Sequence, residues 1–491
     1  MTISTPVEQI MNDNDIIATY DLTFLQTLLN TTDIDTISKS YPIKTQSKNN
    51  IHNLSYIKNN LNQLDHQNTN NKPNTDINNI IHTKNIHLLR SIVIEKIQNN
   101  DISNNDISNN DISNNDMINK YNLISFSPPK SYELQSYNNH IPDNIFNTIT
   151  TIKNDNTYTS LEEYIDGTMI NLFYIPSLQI WEISTKTYIG GKNNFYMNTT
   201  NDINKNNFRT LFYEALSFNS LTTDQLDTSL VYSFVLQHPQ NKIIKHIDNP
   251  TLYLCAIYKI QHFIVQEFNI QTSPYIKSLF VNSTIKLPYK DERNLNIFKA
   301  HLFNPNNQPL NYSSISNSLY HIFNTYANSH YNTPFYIKGI IIRINNSRFK
   351  IYNPYYLYIK ELKGNQAKMQ YQYFVLLYQN RVHEFLNYFP EYTNQFNIYY
   401  QEFESCIQYL YSMYIDTHIL KKIPYDNIPY EYKPHIDSIH HMYISSPLIK
   451  RKNVMKKPSI QRHDVQHYMY TLHPSKLMYT INYSKRSQSV K

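Results

Sequence analysis

Apolar positions are thin over the first 117 residues and then gather into runs whose period switches between two and about 3.6. Before that change, two stretches predict helices. One is Leu22 to Leu29, with Phe24, Leu25 and Leu28; the other is Ile80 to Ile97, with Leu88, Leu89, Ile92 and Ile94. The polar sequence between them reads as linker, and Asp101 to Asn115 repeats DISNN three times, which predicts a flexible segment. Beyond Met117, Gly167 to Tyr174 and Trp181 to Thr185 predict a hairpin turning at Pro176. Phe208 to Phe218 predicts a helix buried through Leu211, Phe212, Ala215 and Leu216. Leu230–Gln237, Thr251–Tyr258, Gly339–Ile344 and Arg348–Ile351 predict further strands, the last two joined through Asn345-Asn346. This is an antiparallel-rich α+β pattern. Farther on, Tyr371 to Phe389 predicts one helix. Phe396, Tyr400, Phe403, Ile407, Leu410 and Tyr414, spaced by three and four, predict the buried stripe of another.

Composition changes this picture in three places. The chain has only 5 Gly, and Gly167, Gly190, Gly191, Gly339 and Gly364 all lie in the central segment, where special backbone geometry is therefore expected. Net charge is +6, but Lys450 to Lys491 carries ten Lys or Arg against Asp464, so the basic character is C-terminal and suits phosphate-backbone contact. The excess of Asn, Ile and Tyr fits an AT-rich genome. Cys255 and Cys406 read as buried thiols, and the groups His435/His440/His441 and His463/His467/His473 match no metal-ligand spacing. No basic start with an apolar run opens the chain and no run is long enough to span a bilayer, so no membrane insertion is expected.

Four segments carry the candidate chemistry. They are Tyr164-Ile-Asp-Gly167-Thr, Tyr232-Ser-Phe-Val-Leu-Gln-His-Pro-Gln-Asn-Lys-Ile-Ile244, Lys338-Gly-Ile-Ile-Ile-Arg343 and Arg348-Phe-Lys-Ile-Tyr-Asn-Pro354. In this order, between Tyr158 and Gln366, they resemble the phage and giant-virus ATP-dependent RNA ligases of the covalent nucleotidyl-transferase superfamily. The resemblance implies an antiparallel-sheet ligase-like domain followed by a helical C-terminal domain. The expected layout is an Asn-rich, partly flexible region at 1–117, the ligase-like domain at 118–366, a helical domain at 367–450 and a basic tail at 451–491.

Active members of that family attack the α-phosphate of ATP with a lysine amine, hold a metal ion with carboxylates and neutralise the phosphate with further lysines. Carried across, the nucleophile position holds Tyr164, while Asp166 and Gly167 of the same motif remain. The glutamate after the phenylalanine of the second motif falls on Val235, and the acid before the glycine of the next becomes Lys338. Of the two lysines of the last motif, Lys350 is kept and the other is Tyr352. A tyrosine has a reference pKa of about 10, and a valine cannot hold a metal. Lys186 corresponds to the ribose-contacting cation, and Lys186, Arg343 and Lys350 are the expected nucleotide-binding cations. Lys242, Arg348, Lys360 and Lys363 lie in or beside the motifs. Glu162 and Glu163 are expected in solvent; Tyr164, Phe173 and Trp181 are expected in the core.

The pattern implies a catalytically degenerate ligase-fold protein, a pseudoenzyme without a required cofactor. Its expected partners are RNA, DNA or other assembly proteins, in a viral factory or a virion. The alternative is an active ligase using ATP and Mg with a displaced nucleophile such as Lys153 or Lys186.

Overall fold

The computed structural model describes residues 15–41, 43–56, 86–97, 120–133, 158–193, 207–296, 334–366, 368–451, 454–483 and 485–486. The DISNN repeats and Lys153 lie outside them. The chain divides into two compact units, Met1–Tyr358 and Ile359–Lys491.

The strands of the first unit, in chain order, are β1 (Ile16–Asp21), β2 (Ile43–Lys48), β3 (Ile51–Tyr56), β4 (Ile92–Lys96), β5 (Tyr121–Phe126), β6 (Tyr132–Glu133) and β7 (Thr159–Glu163). They continue with β8 (Thr168–Ile175), β9 (Ile180–Ser184), β10 (Leu230–Gln237), β11 (Thr251–Gln261), β12 (Ile264–Phe268), β13 (Gly339–Ile344) and β14 (Ser347–Tyr352). A six-stranded sheet, ordered β1-β12-β11-β10-β8-β9, is antiparallel throughout. One of its faces takes Ile170, Leu172, Tyr232, Phe234 and Leu254 against the helix Phe208–Phe218. The other takes Phe173, Ile175, Val231 and Tyr258 against a four-stranded sheet, β2-β3-β4-β5. Strand β10 is buried at every position because both faces are covered, and this accounts for its nearly unbroken apolar run. Buried Glu182 on β9 pairs with Lys48 of β2 and Arg209 of the Phe208–Phe218 helix, tying those layers together.

A third sheet, β6-β14-β13-β7, brings the first, third and fourth motifs side by side. Asn345 turns the β13–β14 hairpin at φ 45°, a backbone region asparagine tolerates.

The N-terminal expectations need correction. Leu22–Leu29 lies in a helix as read, here Thr23–Thr31. The helix expected over Ile80–Ile97 is, over its described residues, a single turn at Ile86–Leu88 followed by β4. Ile92, Val93 and Ile94 are all buried, and a consecutive β-branched run covered on both faces is a strand signal. The stretch expected as linker includes β2 and β3, and β1 joins the central sheet.

The second unit is helical. The single helix expected over Tyr371–Phe389 is two, Met369–Tyr378 and Val382–Tyr388, separated where Asn380 takes φ 56°. Helix Thr393–Tyr414 buries Phe396, Phe403, Cys406, Ile407, Leu410, Met413 and Tyr414, but Tyr400 is 49% exposed. Residues expected as a basic tail include helices Arg462–Thr471 and Pro474–Ile481, which bury Val465, Met469, Leu477 and Ile481. Their basic residues are the outer face of folded helices. No described helix is long and apolar enough to cross a membrane.

Candidate functional site

Strand pairing arranges the inner face of the β7–β13–β14 sheet in three rows. Directly opposed residues share a face. The first row is Ser160, Arg343 and Arg348, and the second is Glu162, Ile341 and Lys350. The third begins with Tyr164, whose N–H donates to the Gly339 carbonyl (2.9 Å), and continues through Gly339 to Tyr352. Gly339 has φ +144°, and a Cβ there would lie 2.0 Å from the Ile351 carbonyl oxygen. Glycine therefore lets the third row close.

Three of the substituted motif positions meet in that row. Lys338 Nζ lies 3.9 Å from the centroid of the Tyr164 ring and donates to the Ile165 carbonyl (3.5 Å). The rings of Tyr164 and Tyr352 are 5.5 Å apart. Lys350 Nζ donates to the Tyr352 hydroxyl at 3.3 Å. Lys350 also pairs with Glu133 at 3.5 Å. Burial pushes the Tyr164 phenol up, but Lys338, Arg90 and Lys350 with the Tyr352 hydrogen bond outweigh it and hold it down to about 8. Burial, followed by Tyr164 itself, drives Tyr352 the other way.

Arg90 has no counterpart in the motif reading. It follows Leu88-Leu89 at the entry to β4, and its charge acts on Tyr56, Tyr164, Tyr352 and Cys255. Lys186 joins the same neighbourhood indirectly: its Nζ lies 4.2 Å from the Tyr56 ring, and the Tyr56 phenol feels Tyr164.

The remaining motif positions are occupied by structural interactions. Asp166 is buried; its carboxylate accepts from the Tyr356 hydroxyl (2.6 Å) and from the Ile244 and Lys245 amides (3.1 and 3.4 Å). It thereby fixes the end of the second motif onto the first. A Cβ on Gly167 would meet the Leu236 carbonyl oxygen at 2.5 Å, so this glycine is required by the close approach of β8 to β10. Val235 packs with Ile165, Met169, Tyr253 and Cys255, an apolar cluster at the position expected for a metal-binding carboxylate.

Arg343, expected to contact nucleotide, is 2% exposed and lies 2.8 Å from Glu267 of β12, which also accepts from Tyr20 of β1 at 2.8 Å. Burial disfavours its charge, but Glu267 and then Glu162 overcome this and hold the guanidinium protonated. Arg348 is likewise buried, with Nε and one terminal nitrogen unpartnered. Glu162, expected in solvent, is buried, where Ser160 donates to it at 2.7 Å. Of the expected nucleotide cations, Lys186 and Lys350 therefore gather near Tyr164, and Arg343 is enclosed elsewhere. Lys242 is by His246. Lys363, in the second unit, is buried against Phe389.

No protein-family model matches the sequence, and no curated protein matches it. Among solved structures, the chain is similar to one assigned, without proof of activity, as an ATP-dependent DNA ligase from Aquifex aeolicus. Identity is 9%, the match covers 68% of this chain and 64% of that chain, and the TM-score is 0.30.

The histidines do other work. His435 is held between the Tyr468 hydroxyl (2.8 Å) and the Thr480 hydroxyl (2.9 Å), while His418 and His440 stack at 4.0 Å. Among the described residues, no group of three or more His, Cys, Asp or Glu is placed to hold a metal ion. The arrangement around Tyr164 can bind an anion by charge and can donate a phenolic oxygen. Val235 and Lys338 stand at two positions where the motif resemblance leads to the expectation of carboxylates.

Proposed function

We propose that the first unit is a ligase-type nucleotidyl-transferase fold that has given up lysine-based transfer and retains a phosphate-binding site. It serves in nucleic-acid binding or as a component of a viral particle or replication assembly. The observation that carries this reading is the combined fate of the carboxylate positions. Val235 is packed into an apolar cluster, Lys338 adds a positive charge where an acid is expected, and the Asp166 carboxylate is engaged by Tyr356 and two amides. Lys338, Lys350 and Arg90 leave the site strongly positive around Tyr164, which favours phosphate over a bare metal cation. The viral setting rests on the motif resemblance; the excess of Asn, Ile and Tyr fits an AT-rich genome, which a large DNA virus shares with a parasite or an organelle plasmid.

The test uses the full chain with labelled RNA and DNA and with α-labelled ATP plus magnesium, beside an active ligase. Binding that weakens with salt, without an acid-labile lysine adenylate, is the expected result. An acid-labile adenylate would sink this reading. It would favour the alternative, an active ATP-dependent ligase with a displaced nucleophile. For that alternative the specific observation is Lys338, whose amine is carried by the fold to the ring at the motif position.

A further inference from the structure

In the second unit, helix Thr393–Tyr414 runs on into a π-turn, Ile415–Ile419, closed by the Leu420 N–H donating to the Ile415 carbonyl at 2.8 Å. Such wide turns are rare and gather at functional sites. The chain leaves the turn through Lys421 at φ 52°, a region that few residues other than glycine adopt. The turn lays His418 on the helix Lys433–Ser445, where its ring is 4.0 Å from that of His440 with the planes 14° apart. Tyr414 stacks with His418 at 5.2 Å, and Tyr443 with His440 at 6.1 Å. The Tyr414 hydroxyl lies 3.5 Å from His440 Nδ1. His418 Nε2 and the Thr417 hydroxyl are buried without a hydrogen-bond partner. A neutral imidazole can keep a lone pair on that nitrogen. A protonated one buries an N–H with no acceptor and sets its charge against a second imidazole.

We propose that the His418–His440 stack is an acid-operated clasp: with both rings neutral it holds the π-turn against the helix Lys433–Ser445, and protonation of His418 releases the turn. The other titratable or charged groups about the pair come from three places. Tyr414 and Asp416 lie on its own segment, Asp437, His441 and Tyr443 on the facing helix, and Lys457 over the Tyr443 ring at 5.7 Å. Asp437 is the carboxylate whose charge favours the imidazolium, and both its oxygens already accept from the Tyr425 hydroxyl at 2.8 Å. Burial and then the charge of His440 outweigh it and hold His418 below its ordinary range. The closed form therefore takes up its proton less readily than the open one. Closure is fully favoured above the ordinary histidine value of about 6.5 and is lost as pH falls below it. The opening is local, because the buried Ile407, Leu410 and Ile436 lie farther back along the two helices. What it frees is a turn ending in Ile419 and Leu420, each already about half exposed. Ring packing alone requires no response to acid.

The experiment follows backbone hydrogen exchange over residues 415–423 of the full chain at about pH 7.5 and about pH 5, corrected for intrinsic exchange. The His418 ring is titrated in parallel by NMR on histidine-labelled protein. The expected result is that acid speeds exchange of the turn about tenfold relative to helix Met369–Tyr378, with a midpoint that follows the His418 ring. His418→Phe keeps a stacked ring without a basic nitrogen and should stay protected at both pH values. His440→Phe removes the neighbouring like charge, so release should persist and move to higher pH. Equal protection of the wild type at both pH values overturns the proposal. So does a His418 ring that titrates while the turn stays protected, or an acid response that survives His418→Phe. If His418→Phe does not fold, the wild-type ring titration and His440→Phe decide the matter, and a release moved to lower pH in His440→Phe overturns it.

Discussion

At one end of the inner face of the β7–β13–β14 sheet, Arg343 is enclosed with Glu267, which is held in turn by Tyr20. At the other end, Lys338 and Lys350 lie beside Tyr164, and among the described residues the one ion-paired carboxylate is the partly exposed Glu133 beside Lys350. Both ends sit on the same three strands and both contain cations with phenols, yet they handle positive charge differently. At the enclosed end, buried Glu267 and Glu162 offset the charge of Arg343, while neighbouring Arg348 keeps two nitrogens without hydrogen-bond partners. At the Tyr164 end, charge exceeds its protein partners, and the imbalance lowers a phenol toward ionisation. Among residues of one chemical type, the degree of internal neutralisation separates the enclosed end from the Tyr164 end.

The largest expected effect comes from unbalancing the enclosed end. Glu267→Ala leaves Arg343 buried with its chief partner gone and should cost about 3–5 kcal/mol, read by chemical denaturation. Replacing the pair together, Glu267→Leu with Arg343→Met, should recover most of that loss. If the single and double variants are equally unstable, the pairing does not account for the difference between the two ends.

Next is the joint between the first two motifs. Gly167→Ala drives a methyl group into the Leu236 carbonyl and should cost about 1–3 kcal/mol. Asp166→Asn weakens the hold on Tyr356 and on the Ile244 and Lys245 amides, at about 1–3 kcal/mol. Both should lower thermal stability before they change phosphate binding. An Asp166→Asn protein with native stability and lost binding would place that carboxylate in the site.

Lys338→Met acts at the Tyr164 end and its signature is titration. With the amine gone, burial should carry the Tyr164 phenol back toward or above its ordinary value of 10, followed by phenolate absorbance. The sign for stability follows from linkage. In the wild type the folded value lies below the unfolded one, so Tyr164 contributes stability that grows as pH rises from about 8 to 10 and is lost as pH falls through 8. Above 10 the trend reverses, because Tyr20, Tyr232, Tyr258 and Tyr356 are raised by burial and the unfolded chain ionises first. Lys338→Met should erase the gain between 8 and 10 and leave the reversal.

The apolar runs of the central segment and the turn residues that bound them place β8 to β11, β13, β14 and the Phe208–Phe218 helix within a few residues, although β10 and β13 are buried at every position. The same reasoning turned Ile92–Ile94 into a helix, since a short apolar run carries no period once both faces are buried. The motif order located Tyr164, Lys338, Lys350 and Tyr352, and their departures from the pattern could be read one by one. Their meeting could not, because it depends on strand register and on the path of the Lys338 side chain back over the Tyr164 ring. Arg90 was hidden for another reason: it reaches the cluster from an N-terminal strand entry far away in sequence. Arg343 and Glu162 were misplaced because each finds its countercharge across a sheet pairing or a sheet-to-sheet contact that the local sequence does not encode.

The smallest effect should come from Glu133→Gln, which removes the carboxylate beside Lys350. The pair is 3.5 Å long, with side chains 19% and 37% exposed, so its loss should change stability by less than about 1 kcal/mol. The change in Tyr164 should nevertheless be measurable. Lys350 no longer shares its charge with Glu133, its donation to Tyr352 is strengthened, and the Tyr164 phenol should titrate below its wild-type position. A small stability change with a downward titration shift is the opposite of the Glu267→Ala pattern, where stability falls heavily and Tyr164 should not move. If Glu133→Gln instead raises the Tyr164 titration, the carboxylate must be holding Lys350 in place, and the Tyr164 end is then built on internal neutralisation like the enclosed one.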